Sequence, residues 1–376
     1  MNNYFLAWVK DEKIREKGRC GGFITALLKF MLEKNIVDYV LTVKKGENFK
    51  YTPILTSNPE EVVECSGYII YATPNIAKLV MNVKEKIAIV CKSCDARAII
   101  ELAKRNQIDI ENVFMIGLEC KGTFLPTILE KILKNLKIQK EDVRNIEILK
   151  DELLVFLKNG DTIKTKLEEL EKMGLSIREN CKRCEFIIPR MCDLACGRST
   201  EDKTTFIEVC SKKGEEIIKK ALEHKIIELK EVSEAEIKAK KEEEKFAKDM
   251  AKKWQDYYFK NESLEERRDF WFGMFNRCIK CYACRDVCPI CYCIDCILNP
   301  WRPLIEGGKV PPSPSFHITR IIHVAESCVN CGQCQDVCPV EIPISRIMHK
   351  LNKAVQEKWG YIPGISLDDK PPTLQE

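Results

Sequence analysis

Two short stretches near the C-terminal end decide the fold of that part of the chain: CIKCYACRDVCP at residues 278–289 and CVNCGQCQDVCP at residues 328–339. Each has three cysteines separated by two residues, then a fourth cysteine followed by proline. In bacterial ferredoxins, three cysteines of such a run bind one [4Fe–4S] cluster and the fourth binds the neighbouring cluster. Structural zinc modules instead pair two short Cys-x2-Cys units across a longer gap. We therefore expect a small bacterial-ferredoxin-like domain with two [4Fe–4S] clusters.

The spacing assigns these cysteines to two sets of four. One cluster takes Cys278, Cys281, Cys284 and Cys338, and the other takes Cys328, Cys331, Cys334 and Cys288. Two clusters coupled in this way transfer single electrons and carry no substrate chemistry. Three more cysteines follow the first run, and the sequence leaves open whether they are alternative ligands, ligands of a further cluster or buried thiols: Cys291, Cys293 and Cys296.

Composition excludes several classes of protein. The chain has 376 residues, long enough for two or three domains, and its 21 cysteines are bunched at short spacings that favour metal binding over disulfides. A net charge of +4 without an Arg- and Lys-dense run argues against nucleic-acid binding. The longest apolar stretches, such as 23–32, are too short to span a membrane, and the N-terminus lacks the basic region of a signal peptide. We expect a cytoplasmic protein.

Residues 1–230 alternate short apolar runs with helical patterns, which is typical of an α/β domain with a mixed sheet. The predicted strands are 5–9, 37–43, 68–71, 87–90, 113–118 and 204–209, and the predicted helices are 23–33, 96–105 and 214–223. A loop is expected at 91–95. Asn159-Gly160-Asp161 lies between apolar runs and predicts a hairpin over 146–165, because Asn-Gly suits the positive φ angles of a tight turn. We expect this hairpin to add antiparallel strands to the sheet.

Residues 231–276 form a predicted helical linker rich in Lys and Glu. Ser233 and Glu236 have the spacing of a capping box, and opposite charges four residues apart support a solvated helix. The two-cluster domain follows at 277–350. The remaining segment, 351–376, contains several prolines and is expected to form an extended arm.

Two loops in the first domain have features of a ligand site. Arg19-Cys20-Gly21-Gly22 precedes the predicted helix 23–33, where glycine backbone and a helix N-terminus favour a phosphate. Cys94–Arg97 lies where a strand ends and a helix begins, the position at which open α/β sheets bind ligands. A Gly-Gly turn before a helix is also common as a plain turn, so neither loop decides the matter alone.

Together, four segments resemble the coenzyme F420 hydrogenase/dehydrogenase beta-subunit family: Arg19-Cys20-Gly21-Gly22-x-x-Thr25, Cys94-Asp95-x-Arg97, Gly117-Leu118-x-Cys120 and Asn180-Cys181-x-x-Cys184. The ferredoxin runs make the chain most similar to the members that serve deazaflavin-reducing formate dehydrogenases of methanogens. The resemblance implies bound FAD, a third [4Fe–4S] cluster near it and coenzyme F420 as substrate. It also implies a catalytic formate dehydrogenase alpha subunit with a molybdenum or tungsten pterin as partner, and it is compatible with a larger electron-transfer complex.

The positions that match the family's motifs imply which residues surround each cofactor. No catalytic side chain is assigned. The flavin side comprises Arg19, Cys20, Gly21, Gly22, Thr25, Lys92, Asp95 and Arg97. The third cluster would be bound by Cys181 and Cys184 with Cys94 and Cys120. The chain departs from the family after Cys184, where extra cysteines allow a local set of Cys181, Cys184, Cys192 and Cys196. We favour the set drawn from separate loops and keep the local set as the alternative.

Two other functions remain open at this stage. The electrons could come from a hydrogenase or a ferredoxin instead of a formate-oxidising subunit. The chain could also be a non-catalytic iron–sulfur relay and docking subunit with a degenerate flavin site. Bound flavin would distinguish this second alternative, because FAD is the group that converts single electrons into a hydride.

Overall fold

The computed structural model describes residues 3–18, 20–47, 49–65, 69–260, 263–302 and 309–375. The chain divides into two compact units. The first comprises residues 1–73, 83–96 and 109–251, and the second comprises residues 74–82, 97–108 and 252–376. The predicted boundary at residue 230 therefore falls short of the observed one at 251. Two segments expected in the first domain belong to the second unit.

The strands of the first unit are β1 (Tyr4–Val9), β2 (Tyr39–Lys45), β3 (Tyr51–Thr56), β4 (Ile87–Lys92), β5 (Val113–Leu118), β6 (Val143–Leu149), β7 (Glu152–Leu157), β8 (Thr162–Lys166), β9 (Leu194–Arg198), β10 (Thr205–Val209) and β11 (Ile227–Glu231). Eight of these described strands form a mixed sheet with the order β11-β1-β10-β9-β5-β4-β2-β3. β9, β5, β4 and β2 pair in parallel, and the outer pairs are antiparallel.

Helices accompany both units, and the division between units passes through α4 and α9. The helices are α1 (Glu12–Lys17), α2 (Phe23–Glu33), α3 (Pro59–Val63), α4 (Ser93–Ala103), α5 (Pro126–Asn135), α6 (Leu167–Lys172), α7 (Glu179–Lys182), α8 (Lys212–Glu223), α9 (Glu234–Tyr258), α10 (Leu264–Phe275), α11 (Ala283–Asp286), α12 (Pro314–Val324), α13 (Gln333–Asp336) and α14 (Ile344–Trp359). None of the described helices is both long enough and apolar enough to cross a bilayer.

The core of the first unit lies between α2 and the central strands. β5, with the sequence VFMIGL, is buried at every position, as expected for a parallel strand covered on both faces. Phe23, Leu27 and Met31 lie on one face of α2 and share a buried cluster with Val40 and Ile116. The predicted helix 23–33 and strand 113–118 are confirmed with their bounds unchanged.

Three local predictions are wrong. Residues 69–71 lie in a turn rather than a strand, with the Ala72 amide bonded to the Ile69 carbonyl, while Tyr68 lies outside the described residues. The hairpin around Gly160 is present, but β6, β7 and β8 form a sheet of their own instead of extending the main one. The loop expected at 91–95 is absent, because β4 runs through Lys92 directly into α4.

The linker and the arm also differ from expectation. α9 is present, yet Glu236 and Ala251 on it are buried, so the helix is only partly solvated. Ser233 accepts from the Glu236 amide at 3.2 Å, but the Glu236 carboxylate bonds Ser199 and Thr200, and the capping box is incomplete. The expected arm at 351–376 begins inside α14, because that helix continues to Trp359.

Candidate functional site

The two cysteine runs of the second unit adopt the same local backbone. Each run turns twice through the left-handed region, at Lys280 and Tyr282 in the first and at Asn330 and Gly332 in the second, and then enters a short helix, α11 or α13. Left-handed residues cost non-glycine side chains free energy. Their repetition at matching positions shows that each loop is bent to turn its cysteines inward.

Each run lines a cavity that also receives the fourth cysteine of the other run. The first cysteine cavity, about 410 Å³ with its open mouth included, is lined by Cys278, Cys281, Cys284 and Cys338. The second cysteine cavity, about 370 Å³, is lined by Cys328, Cys331, Cys334 and Cys288. This is the crossed arrangement that the spacing predicts. Within the described residues, no three His, Cys, Asp or Glu side chains are close enough to hold a single metal ion.

Backbone amides point at the sulfur atoms, as suits thiolate ligands. The Lys280 amide lies 3.3 Å from Cys278 Sγ, and the Ile342 amide lies 3.3 Å from Cys338 Sγ. Hydrogen bonds to the sulfurs and burial are among the factors that set the potential of an iron–sulfur cluster. The donor set and its amide environment therefore fit a four-cysteine cluster in each cavity.

The three additional cysteines lie in different surroundings. A side-chain hydrogen bond from Cys291 lowers the pKa of Cys288 against the opposing effect of burial. Cys293 is exposed. Cys296 packs, with Cys278 and Tyr282, against the small core of Leu298 and Phe316. The structure thus places Cys291 beside the second cysteine cavity and does not gather the three into one group.

In the first unit, five strands point the same way, so their carboxyl ends share one edge of the sheet. β9, β5, β4 and β2 are parallel, and β1 joins them because it is antiparallel to β10, itself antiparallel to β9. The Val9 amide, at the end of β1, bonds the Gly21 carbonyl at 3.1 Å. The Gly21–Gly22 turn, the Lys92–Asp95 segment and the Glu119–Lys121 segment therefore meet at the edge where open sheets bind ligands.

Lys92 and Asp95 form a buried ion pair at this edge. The Lys92 ammonium lies 3.0 Å from Asp95 Oδ2, and the Lys92 amide donates to the same carboxylate at 2.9 Å. Burial acts to lower the pKa of Lys92, but Asp95, Cys94 and Cys120 outweigh it and the pKa is raised. The ammonium thus stays charged beside two cysteines.

Cys94, Cys120 and Cys184 lie near this pair, and Cys181 lies beside the loop that follows Cys120. Burial, Asp95, Cys120 and Cys184 together raise the pKa of the Cys94 thiol well above its ordinary value, against the effect of Lys92. Cys181 Sγ lies 3.6 Å from Thr123 Oγ1, in the loop that begins at Cys120. Binding a cluster requires these thiols to lose their protons, and the Lys92 cation favours the thiolate form. The residues present fit an iron–sulfur cluster held by separate loops.

The alternative local set is not gathered. Cys192 Sγ lies 3.7 Å from Cys91 Sγ in the buried core, and Gly117 makes room for it, since a Cβ there would be 2.8 Å from the Cys192 sulfur. Cys196 is buried within β9, and burial and neighbouring cysteines other than Cys181 and Cys184 raise its thiol pKa. The geometry favours the set from separate loops.

The glycine turn is tightly constrained. Gly21 and Gly22 both have positive φ, and a Cβ at Gly21 would lie 2.3 Å from the Lys203 carbonyl oxygen. The Cys20 carbonyl accepts from Thr205, and Thr25 is partly exposed on the first turn of α2. Arg19 lies outside the described residues. Substitution at Gly21 would disturb the fold directly, so it cannot separate flavin binding from folding.

Arg97 and Asp95 belong to different units. Arg97 is buried in the second unit, where Nε donates to the Pro363 carbonyl at 2.7 Å and Nη1 to the Val329 carbonyl at 3.4 Å. The resemblance to the family placed Arg97 on the flavin side, whereas its side chain contacts residues of the second unit.

Sequence reasoning missed a buried charge network at the end of β5. Glu119 is bound by Lys240 at 2.7 Å and Lys121 at 3.5 Å, and Lys121 also pairs with Glu243 of α9. Burial would raise the pKa of Glu119, but the two lysines outweigh it and the pKa is lowered. The only signal was a Glu-Cys-Lys segment directly after an apolar strand. Lys240 and Glu243, which complete the network, lie more than a hundred residues away.

Most of this chain matches families of known proteins. Residues 4–79 and 84–235 match the N-terminal and C-terminal parts of the family described as coenzyme F420 hydrogenase/dehydrogenase, beta subunit. Residues 321–344, which contain the second cysteine run, match the 4Fe-4S binding domain family.

Relatives match to different extents. The F420-dependent formate dehydrogenase beta subunit of Methanocaldococcus jannaschii is 41% identical, covering 99% of this chain and 98% of the relative. That of Methanococcus maripaludis (formate dehydrogenase 1) is 40% identical with the same coverage. The coenzyme F420 hydrogenase beta subunit of Methanosarcina barkeri is 24% identical over 60% of this chain and 80% of the relative.

A solved structure shares the fold. A chain of the F420-reducing [NiFe] hydrogenase complex from Methanosarcina barkeri superposes with a TM-score of 0.60 at 21% identity. The match covers 71% of this chain and 92% of that chain. The mixed-sheet fold is therefore shared with an F420-reducing hydrogenase subunit.

Proposed function

Because this chain belongs to the coenzyme F420 hydrogenase/dehydrogenase beta-subunit family, we propose that it is the electron-transfer and flavin subunit of an F420-dependent formate dehydrogenase. Formate would be oxidised on a separate catalytic subunit, the cysteine sets of this chain would hold [4Fe–4S] clusters that carry single electrons, and bound FAD would supply the exchange between those electrons and a hydride for coenzyme F420. One observation carries the proposal: the likeness to formate dehydrogenase beta subunits spans both units, whereas the likeness to hydrogenase beta subunits spans only part of the chain.

The second unit would hold two clusters. Cys278, Cys281, Cys284 and Cys338 would bind one, and Cys288, Cys328, Cys331 and Cys334 the other. Because each run contributes one cysteine to the other's cavity, the two cavities are held next to each other. Cys334 lines both, which fits two sites that exchange single electrons.

The first unit would hold the third cluster and the flavin at one edge of the sheet. Cys94, Cys120, Cys181 and Cys184 would bind the cluster, with Lys92 favouring the thiolates. When bound, FAD supplies the exchange between single electrons and a hydride. The Gly21–Gly22 turn and the N-terminus of α2 offer backbone donors to a phosphate of the cofactor, and Thr25 adds a hydroxyl there.

The partner is tested by co-purification. The tagged full chain, isolated without oxygen from its native cells, should carry a second polypeptide that contains molybdenum or tungsten, and formate should then reduce coenzyme F420. The chain alone, loaded with iron and flavin, should not respond to formate. A nickel–iron partner would replace the proposal with the hydrogenase alternative, and a complex without flavin would favour the relay alternative.

Flavin placement is tested at Thr25. Thr25→Val removes a hydroxyl with little change in volume, and we expect FAD to bind at least tenfold more weakly, or about 1.4 kcal/mol. Thr162→Val, on the exposed strand β8, is the matched control and should bind FAD normally. Unchanged FAD affinity in Thr25→Val would remove this residue from the flavin site.

A further inference from the structure

Arg320 is a buried cation between the two cysteine cavities. It lies on α12, in the segment that connects the two cysteine runs, and only 2% of it is exposed. Its Nη2 donates to the Cys284 carbonyl at 2.7 Å, next to a sulfur of the first cysteine cavity. The same side chain lines the second cysteine cavity. The Arg320 guanidinium therefore contacts a ligand residue of the first set, Cys284, and lines the cavity of the second set.

The remaining donors of Arg320 are unused within the described residues. Nε and Nη1 are buried and have no hydrogen-bond partner there. A buried charge is strongly unfavourable unless an opposite charge compensates it. The cysteines nearest this cation belong to both sets, because it donates to the Cys284 carbonyl and lines one cavity with Cys288 and Cys334.

We propose that Arg320 is a positioning residue that raises the reduction potential of the cluster in the second cysteine cavity and, more weakly, that of the first. A cluster with four thiolates is an anion, and its reduction adds one electron and no proton. A fixed positive charge nearby stabilises the reduced form more than the oxidised form. Cluster potentials respond to local charge, hydrogen bonds to sulfur and solvent exposure.

Arginine suits this role better than any other basic residue. Its guanidinium stays protonated under all physiological conditions, so the charge does not vary with pH. Because the side chain is buried, salt screens it far less than a surface charge. The electron that reduces the cluster comes from the proposed formate-side donor, no bond is made or broken, and Arg320 keeps its proton throughout.

The inference rests on the two-cluster part of the proposed function, and the measurements separate the two claims. Iron and sulfide content of the wild-type full chain tests whether the clusters exist. Potentiometric titration followed by EPR then compares wild type with Arg320→Gln, Arg320→Lys and Arg285→Gln. Arg285 is the control, because it follows Cys284 directly but is partly exposed and pairs with Asp286 at 3.0 Å.

We expect the Arg320→Gln chain to keep its iron, and we expect its clusters to be reduced only at a more negative potential than those of wild type. At a fixed potential, the ratio of reduced to oxidised cluster should fall at least tenfold, which corresponds to about 59 mV for one electron. Arg320→Lys should restore most of the difference, and Arg285→Gln should change little. Unchanged potentials in an iron-replete Arg320→Gln chain would overturn the inference. Loss of iron from the Gln and Lys variants alike would also overturn it, by making Arg320 a structural residue.

Discussion

Replacing Cys120 with serine is expected to remove the third cluster and leave the two clusters of the second unit in place. Cys120 acts electrostatically on Cys94, as Cys184 does, and its amide is held by the Ile187 carbonyl at 2.9 Å. A serine there keeps the loop geometry but loses the thiolate that iron prefers. The contrasting variant is Cys192→Ser, whose sulfur faces Cys91 instead.

The expected loss of iron follows from the number of clusters in the chain. Three four-iron clusters give about twelve iron atoms per chain, so Cys120→Ser should contain about eight. Cys192→Ser should keep about twelve. Cys192→Ser should instead be less stable, because it buries a hydroxyl in place of a thiol. Its unfolding free energy should fall by about 1–3 kcal/mol.

The assay is iron and acid-labile sulfide per chain on protein purified without oxygen, with EPR of the reduced protein to identify the missing signal. Cys196→Ser serves as a second control, because Cys196 is buried in β9. Loss of about four iron atoms from Cys192→Ser or Cys196→Ser, with a full complement in Cys120→Ser, would refute the reasoning and establish the local ligand set.

Two further predictions concern the second unit and the charge network. Cys278→Ser and Cys338→Ser should abolish the same EPR signal, and Cys288→Ser and Cys328→Ser the other. A Cys338→Ser chain that loses the EPR signal also lost by Cys328→Ser would contradict the crossed assignment. Lys240→Met should lower unfolding free energy at pH 7 by about 3–5 kcal/mol, whereas the exposed Lys238→Met should cost little. Because Glu119 has a lowered pKa when folded, its contribution is present above its unfolded pKa and lost as pH falls through the folded value. The difference in unfolding free energy between wild type and Lys240→Met should therefore shrink in urea titrations as pH falls through the folded pKa of Glu119. Equal behaviour of Lys240→Met and Lys238→Met would argue against the network.

The parts that sequence predicted well depend on neighbouring residues. α2 and β5 follow from apolar periodicity within single elements. The two cysteine sets predicted from spacings within twelve-residue stretches each line one cavity, and their assignment to clusters stays a prediction. The hairpin turn at Gly160 was also predictable, since Asn-Gly has a strong conformational preference. Which sheet that hairpin joins depends on distant strands, and there the prediction was wrong.

The parts that sequence could not give depend on contacts between distant residues. Arg320 reads as an ordinary charge within an amphipathic helix, and only the packing of α12 buries it against two cysteine loops. Arg97 was grouped with Asp95 because both match one motif of the family, yet its side chain belongs to the second unit. Lys240 looked like part of a solvated linker, because nothing near it in the sequence indicates Glu119.

Contacts between distant residues also involve the segments at which the chain would be cut to give an N-terminal fragment. A cut inside 233–254 would remove Lys240 from Glu119, and residues 97–108 pack within the second unit with Tyr361 and Glu326. The Glu101 carboxylate accepts hydrogen bonds from Tyr361, from the Gly364 amide at 2.8 Å and from the Lys104 ammonium at 3.1 Å. The full chain, rather than an N-terminal fragment, is the appropriate protein for functional tests.

The central claim is that this chain connects coenzyme F420 to iron–sulfur clusters through a flavin. The most direct measurement adds reduced coenzyme F420 to the oxidised full chain, purified without oxygen and loaded with FAD and iron, and follows the clusters by EPR. We expect cluster signals to develop with FAD present and to be absent from a flavin-free sample of the same iron content. A flavin- and iron-replete chain whose clusters are reduced by dithionite but not by reduced coenzyme F420 would contradict the account.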